Sequence, residues 1–169
     1  MRPLRAADLK HIAAIEDSGA PQFQAAFGPD MHPVLAQPAD SGWERDSKPG
    51  FILVAAREGE PPMGFVHVLV LEGHAHLEQL SVRPEAQRQG VGTDLVRAAM
   101  REARRDGHQR MSLCTYRDVP FNGPFYATLG FEEVTDLLPF QQRLREHETE
   151  IGLDVDGPRI VMSVALRPQ

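Results

Sequence analysis

The chain has 169 residues, of which 41% are hydrophobic, and this is enough apolar content for a single domain over residues 1–169. It carries 18 Lys and Arg residues against 24 Asp and Glu residues, so its net charge is −6. A chain of this charge repels a phosphate backbone, and its apolar runs are shorter than the roughly 20 residues that span a bilayer, so neither a nucleic-acid nor a membrane partner is expected.

The first half of the chain begins with a pattern of weak periodicity. A short opening strand and an amphipathic helix over residues 6–17 are predicted, followed by a loop-rich stretch over residues 19–50 with at most one helix. Two β-rich runs, residues 51–57 and 63–71, flank a turn of Gly, Glu and Pro and predict a hairpin. A further strand is predicted over residues 76–82.

The second half alternates clearly between helix and strand. Its strongest helix is predicted over residues 90–106, followed by a strand over residues 109–115 and a short helix over residues 121–129. Two more strands are predicted, over residues 131–136 and 159–166. This order predicts an α/β fold with a mixed central sheet and helices covering its faces.

The segment before the strongest helix has the composition of a phosphate-binding turn. It runs from the end of a strand at Pro84 through Gln-Arg-Gln-Gly-Val-Gly-Thr, residues 87–93. Gly90 and Gly92 let backbone amides approach a ligand closely, and the helix N-terminus adds a partial positive charge. Arg88 adds a full charge. Two glycines with this spacing also occur in a purely structural strand-to-helix turn, so the pattern alone leaves both interpretations open.

Two familiar phosphate loops do not fit this segment. The loop of nucleoside triphosphatases requires a Gly-Lys pair, and none occurs anywhere in the chain. The dinucleotide-binding fingerprint requires a third small residue for close packing of the helix, but Leu95 stands in that position.

Three segments occur here in a characteristic order. Gln87, Gly90 and Gly92 match the pattern Q/R-x-x-G-x-G/A, which follows a strand ending in Leu-Ser-Val-Arg-Pro at residues 80–84. Residues 125–131, Phe-Tyr-Ala-Thr-Leu-Gly-Phe, match the pattern F/L-Y-x-x-L-G-F. Over residues 51–136 the chain thus resembles the GNAT superfamily of acyl-CoA-dependent N-acyltransferases, and the combination is more specific than any single motif.

The resemblance implies a mostly antiparallel central sheet that splays at the cofactor site. It implies an N-acetyltransferase that uses acetyl-CoA, the coenzyme A thioester, as co-substrate and transfers the acetyl group to a primary amine by direct attack in a ternary complex. The pantetheine arm would add to the fourth strand like an extra strand. The candidate cofactor contacts are Leu80, Ser81, Val82, Gln87, Arg88, Gln89, Gly90, Val91, Gly92, Thr93 and Asn122.

Acyl transfer to an amine requires a neutral nitrogen and a stabilised leaving thiolate. The resemblance implies that Tyr126 donates to the thiolate, although a tyrosine here can also be a packing residue. Strand alternation predicts that His76, Glu78, Leu80 and Val82 share one face, so that either His76 or Glu78 could accept the ammonium proton. Each of the two could equally be an ordinary strand residue.

The chain departs from the family pattern at one position. Many members carry an asparagine seven residues before the tyrosine, where this chain has Val119. Asn122 either contacts the cofactor from a shifted position or caps the following helix.

No metal is expected. His67, His74 and His76 raise the possibility, but a closed zinc site usually needs four ligands, no cysteine pair is available, and the chemistry needs no metal. The single cysteine, Cys114, cannot form a disulfide within the chain and is expected in the core. With no leader-like composition at the start of the sequence, a cytoplasmic location is expected.

The acceptor is the least defined part of the function. A small-molecule or peptide amine is expected, and residues 19–50 and 137–158 are the variable segments expected to select it. Acidic residues late in the chain could attract a cationic amine such as a polyamine or could be ordinary surface charge. They are Glu132, Glu133, Asp136, Glu146, Glu148 and Glu150.

Two alternatives to an N-acetyltransferase stay open at this point. One is a non-catalytic coenzyme A binding or regulatory protein, which the valine at position 119 favours, and the other is an O-acyltransferase on the same fold. Exposed edge strands are compatible with a homodimer.

Overall fold

The computed structural model describes residues 1–166, and residues 167–169, the end of the predicted domain, lie outside this part. Seven strands form one sheet in the order β1-β2-β3-β4-β5-β7-β6. All neighbouring strands are antiparallel except β4 and β5, which are parallel. The strands are β1 (Arg2–Pro3), β2 (Gly50–Ala55), β3 (Gly64–Leu71), β4 (His74–Val82), β5 (Arg110–Tyr116), β6 (Glu132–Val134) and β7 (Arg159–Ala165). The predicted mixed, mostly antiparallel α/β sheet is confirmed.

Helices flank this sheet. They are α1 (Leu9–Asp17), α2 (Ala20–Phe27), α3 (Gly42–Asp46), α4 (Val91–Arg105), α5 (Gly123–Ala127) and α6 (Pro139–Glu150). Short 3-10 helices occupy Ala6–Asp8, Pro33–Ala36 and Pro84–Ala86. Within residues 1–166, none of the helices combines the length and the apolar character that crossing a bilayer requires.

The two faces of the sheet carry separate cores. One lies between α4 and the sheet and includes Leu53, Val66, Val68, Leu77, Leu95, Val96, Ala99 and Met111. The other lies between α1 and the opposite face and includes Ile12, Ile15, Ile52, Val54 and Phe65. Successive residues of β2 therefore serve opposite cores, as the two-residue period of a strand requires. Each large apolar side chain buried in this way contributes about 1.5–3 kcal/mol.

The structure departs from the sequence-based expectation in two segments. Residues 19–50 contain two helices rather than at most one, and α3 begins with a capping box in which Ser41 Oγ accepts a hydrogen bond from the Glu44 amide at 3.2 Å. The variable segment 137–158 contains α6. Because only Phe140 and Gln141 of this helix are buried, its sequence has no apolar stripe that periodicity could detect.

A β-bulge interrupts the pairing of β3 with β4. His67 pairs with Gln79, but the next residue, Val68, pairs with Leu77, so Glu78 is an extra residue in β4. One inserted residue reverses the alternation of side chains, so Leu77 before the bulge and Leu80 after it both pack toward the α4 core. The prediction that His76, Glu78, Leu80 and Val82 share one face is therefore wrong.

The parallel pairing of β4 with β5 is short. It is formed only at Ala75 with Met111 and at His76 with Ser112. Beyond these residues the two strands diverge, so the second half of β4 pairs with β3 alone and leaves its other edge open. The sheet splays here as expected, and a cleft lies between the diverging strands.

Candidate active site

The cleft between the diverging strands has a volume of about 410 Å³. Its walls come from β4, the turn before α4 and the first turn of that helix, α2 with the residue before it, α5 with the residues before it, the end of β5 and the start of β7. Predicted site residues that line it are Glu78, Leu80, Ser81, Val82, Gln87, Arg88, Gly90, Gly92, Thr93, Asn122 and Tyr126. His76, Gln89 and Val91 are not among the lining residues.

The turn before α4 forms one end of the cleft. Gly90 is the N-cap residue of α4, and its φ of 82° lies in the left-handed region, which glycine adopts without strain. No side chain caps the helix, and a Cβ at Gly90 would meet nothing within 4 Å. The first amides of α4 therefore face open space, and with Arg88 beside them they can bind an anion.

The second glycine of the motif has a different role. Gly92 lies within α4, where a Cβ would stand 3.6 Å from Phe125, 3.8 Å from Leu80 and 3.9 Å from Val82. These are ordinary van der Waals distances, so an alanine fits at this position but a large side chain would enter the cleft.

The side chain of Gln87 stabilises the turn with two hydrogen bonds. Its Nε2 donates to the Val82 carbonyl at 2.9 Å, and its Oε1 accepts from Gln22 Nε2 at 2.6 Å. The motif glutamine thus ties the turn to the end of β4 and to α2. Gln89 bonds outward, to the Glu85 carbonyl at 2.9 Å.

Tyr126 lies on α5 and is only 9% exposed, with its ring packed edge-on against Phe125 and Phe131. Gly123 allows α5 to begin this close to the sheet, because a Cβ there would lie 2.5 Å from the Arg117 carbonyl oxygen. Burial raises the pKa of the Tyr126 phenol well above its ordinary value. A tyrosine hydroxyl is protonated at neutral pH, and this shift keeps it protonated at alkaline pH as well, so it can donate a hydrogen bond.

Glu78 is aimed into the cleft by the bulge. The residue is exposed to the cleft, and desolvation by the protein atoms around it raises the pKa of the carboxyl above its ordinary value. Arg45 and Lys48 oppose this shift more weakly. A carboxylate with a raised pKa is a stronger proton acceptor than an exposed one.

His76 lies outside the cleft. It is 2% exposed, its Nδ1 lies 3.0 Å from Ser112 Oγ, and its ring packs edge-on against Phe140. Burial lowers the pKa of His76 to about 4, so its ring is neutral at physiological pH. Of the two predicted candidates for the base, only Glu78 lines the cleft.

Asn122 and Cys114 both line the cleft. Asn122 is the N-cap residue of α5, but its side chain makes no capping hydrogen bond, which favours a ligand contact over the capping alternative. Cys114 was expected in the core, and instead its thiol borders the cleft, where burial raises its pKa to about 12. Val119, which stands in place of the family asparagine, is buried.

Several residues that line the cleft were not predicted as site residues from the sequence. Gln22, Phe23, Phe121 and Arg159 are among them. The guanidinium of Arg159 lies 4.7 Å from the centre of the Tyr116 ring and donates to Glu148. The pair Phe23 and Phe27, four residues apart on α2, was the available sequence signal, since residues at this spacing share one face of a helix.

The histidines do not form a metal site. Within the described residues, no group of three or more His, Cys, Asp or Glu side chains lies close enough together to hold a metal ion. His67 is buried against Arg45, and His74 stacks on Phe140.

The comparisons with known proteins agree with this geometry. A family model, the Acetyltransferase (GNAT) family, matches residues 12–131. The chain belongs to the GNAT acetyltransferase family, whose members use acetyl-CoA as co-substrate.

Similar solved structures cover nearly the whole chain. The ribosomal-protein-S18-alanine N-acetyltransferase from Escherichia coli is 19% identical, with a TM-score of 0.65 over 99% of this chain and 93% of that chain. The PaiA N-acetyltransferase from Thermoplasma acidophilum in complex with coenzyme A is 17% identical, with a TM-score of 0.66 over 97% and 96%. An aminoglycoside 6'-N-acetyltransferase complexed with coenzyme A is 16% identical, with a TM-score of 0.62 over 99% and 97%. At these identities the likeness shows the fold.

Proposed function

We propose that the protein is an N-acetyltransferase that transfers the acetyl group of acetyl-CoA to a primary amine by direct attack in a ternary complex. The observation that carries this proposal is the composition of one cleft. Among the described residues, it joins an uncapped helix N-terminus with an adjacent Arg88, a free strand edge, a protonated tyrosine and a single carboxylate, Glu78.

The cofactor contacts follow from the two ends of the cleft. The amides at the start of α4 and Arg88 are suited to the pyrophosphate, because both present positive charge to an anion. In the part of the chain that the structure describes, the edge of β4 from Glu78 to Val82 has no strand partner on the cleft side, so its backbone groups are available to the amide-bearing pantetheine arm. Asn122 adds a free polar side chain from the opposite wall.

Two side chains are suited to the proton transfers. Glu78, with its raised pKa, accepts the proton that the ammonium group must lose before its nitrogen can attack. Tyr126, whose phenol is protonated at neutral pH and whose pKa burial raises further, donates a hydrogen bond to the sulfur as the carbon–sulfur bond breaks. Acetyl-CoA supplies the acetyl group and the thiolate leaving group.

Direct attack is favoured over an acyl-enzyme route. Cys114 is the nucleophile that such a route would use, but its pKa of about 12 keeps the thiol protonated, and a thiol is a weak nucleophile. We expect Cys114→Ala to retain turnover within about fivefold, since it removes no group that the direct route requires. A variant that binds acetyl-CoA but transfers no acetyl group would instead identify an acyl-cysteine.

The first test is calorimetric titration of acetyl-CoA into the wild type, Gly92→Trp and Gly92→Ala, followed by thiol release with a panel of amines and matched alcohols. The indole of Gly92→Trp enters the cleft and is expected to abolish binding, whereas the alanine meets only van der Waals contacts and preserves it. Thiol release with amines supports the proposal.

The other outcomes separate the alternatives. Absence of acetyl-CoA binding by the wild type contradicts the proposed cofactor site. Binding without thiol release from any acceptor identifies a coenzyme A binding protein, and a preference for alcohols identifies an O-acyltransferase.

A further inference from the structure

The charges that line the cleft restrict the acceptor. Within residues 1–166, the charged residues of the lining are Glu78, Arg88 and Arg159. Arg88 belongs to the proposed pyrophosphate turn, and Arg159 is engaged by Glu148 and by the face of the Tyr116 ring. One carboxylate is therefore available to a cationic substrate, which suits one amino group rather than several.

The late acidic residues do not add to this charge. In the part of the chain that the structure describes, Glu132, Glu133, Asp136, Glu146, Glu148 and Glu150 all lie outside the cleft lining. Glu133 pairs with Arg117, and Glu148 is shared between Arg145 and Arg159. These acidic residues therefore do not support the interpretation that the cleft attracts a polyamine.

Two aromatic rings form an apolar wall of the same cleft. Phe23 of α2 and Phe121, which precedes α5, lie with ring centres 5.2 Å apart in an edge-to-face arrangement. Behind them Phe27 packs edge-on against Tyr116 with ring centres 4.9 Å apart, and neither of these two rings lines the cleft. The supporting pair holds the wall in place, since edge-to-face aromatic contacts have a defined geometry.

We propose that the acceptor is a primary monoamine with an aromatic body, whose ring packs against Phe23 and Phe121 while its nitrogen faces Glu78. This inference rests on the proposed function and adds the substrate class. A carboxylate beside the amine is disfavoured, because the Arg159 guanidinium is already paired. A second amino group is disfavoured because, within residues 1–166, no carboxylate other than that of Glu78 lines the cleft.

The test compares four acceptors by kcat/KM in a thiol-release assay: phenethylamine, butylamine, spermidine and phenylalanine. We expect phenethylamine to exceed butylamine by about tenfold, the scale on which an apolar pocket discriminates between bodies of different size. Spermidine and phenylalanine should both fall below phenethylamine. Equal or higher kcat/KM for spermidine or phenylalanine overturns the inference.

Substitution of Phe23 tests whether the preference for phenethylamine arises at the wall formed by Phe23 and Phe121. Phe23→Ala should lower kcat/KM for phenethylamine about tenfold and leave that for butylamine within about twofold, so the butylamine rate also reports an intact fold. Gln24→Ala, at the next residue of the same helix, is the control, because Gln24 is exposed and does not line the cleft, and it should preserve the ratio of the two substrates. An equal loss for both amines with Phe23→Ala, or a raised KM for acetyl-CoA alone, overturns the assignment of Phe23 to the acceptor.

Failure of the proposed function gives a different result. If the wild type binds acetyl-CoA but no amine of the wider panel releases thiol, the N-acetyltransferase proposal fails, and this inference, which rests on it, fails as well. If amines react without a preference for the aromatic one, only the substrate class is wrong.

Discussion

The two halves of β4 differ in what flanks them. At Ala75 and His76 the strand has a paired neighbour on both sides, and His76 is almost fully buried. Within the described residues, from Gln79 onward it pairs with β3 alone, and its other edge borders the cleft. The bulge at Glu78 separates a structural half of the strand from a half that is available for binding.

Titratable groups in these two halves show why a shifted pKa does not by itself identify a catalytic residue. Desolvation lowers the pKa of His76 to about 4 and raises the pKa of Glu78, and both shifts favour the neutral form. Only Glu78 faces the cleft. Accessibility to substrate, set by the bulge and the splay, decides which of the two groups can take part in a reaction.

The largest expected effect comes from Glu78→Gln, which removes the proposed base but keeps the shape of the side chain. We expect kcat to fall by about a thousandfold, within the range of general-base catalysis. In the wild type, activity should rise as pH rises through the raised pKa of Glu78, because the carboxylate form accepts the proton. This limb of the pH–rate profile should be absent in the variant. An unchanged profile with a full rate would exclude Glu78 as the base.

Tyr126→Phe tests the proposed hydrogen-bond donor, which lines the cleft from α5. Loss of the hydroxyl is expected to lower kcat about a hundredfold, because the departing sulfur loses its hydrogen-bond donor. Binding of acetyl-CoA, measured by calorimetry, should change little, since the ring and its packing against Phe125 and Phe131 are retained. A normal kcat would make Tyr126 a packing residue.

Gly90→Ala tests the anion site at the mouth of the cleft, with Gly107→Ala as the matched control. Both glycines have a left-handed φ, 82° and 91°, and at both a Cβ would meet nothing within 4 Å. Each variant should cost about 1 kcal/mol of unfolding free energy, because alanine is strained at such φ angles. Only Gly90→Ala should weaken acetyl-CoA binding, by about tenfold, since strain there displaces the amides of the turn. Equal affinities of the two variants in calorimetric titration would contradict the assignment.

The smallest effect on rate is expected for His76→Leu, with kcat within about twofold of the wild type, since His76 lies outside the cleft. Its effect should appear in stability. As pH falls from 6.5 toward 4, the unfolded histidine takes up a proton that the buried ring does not, and this lowers the free energy of unfolding by on the order of 3 kcal/mol. The pKa of His67 is also lowered to about 4. The variant should therefore remove about half of the loss of stability that the two buried histidines cause at low pH.

Urea unfolding at pH 7 and pH 4.5 checks this expectation. At pH 7 the variant should be less stable by about 1 kcal/mol, because Ser112 loses its hydrogen-bond partner. At pH 4.5 the difference should shrink or reverse. A large loss of kcat in a folded variant would return His76 to the list of catalytic candidates.

Much of the fold could be predicted because its signals are local. The α4 stripe, the β2–β3 hairpin and the glycine turn each depend on residues within one turn or one strand pair, and all three are present in the structure. The helix α6 could not be predicted, since its sequence is mostly polar or charged and has no continuous apolar stripe.

The site was only partly predictable for a related reason. Motif residues such as Gly90 and Tyr126 have a recognisable spacing, and the structure brings them to one cleft. Phe23 and Arg159 are far from the motifs in sequence, and no local pattern links them to Tyr126. Their place in the cleft depends on how α2 and β7 pack against the sheet.

The sequence by itself determined the fold class, the family resemblance and the turn of residues 87–93. These features depend on the identity and spacing of residues that are adjacent in the sequence. The tertiary structure alone decided which of His76 and Glu78 faces the cleft. That choice depends on a bulge whose position is set by pairing between two strands, and a shift of one residue in that pairing exchanges the two faces of the strand.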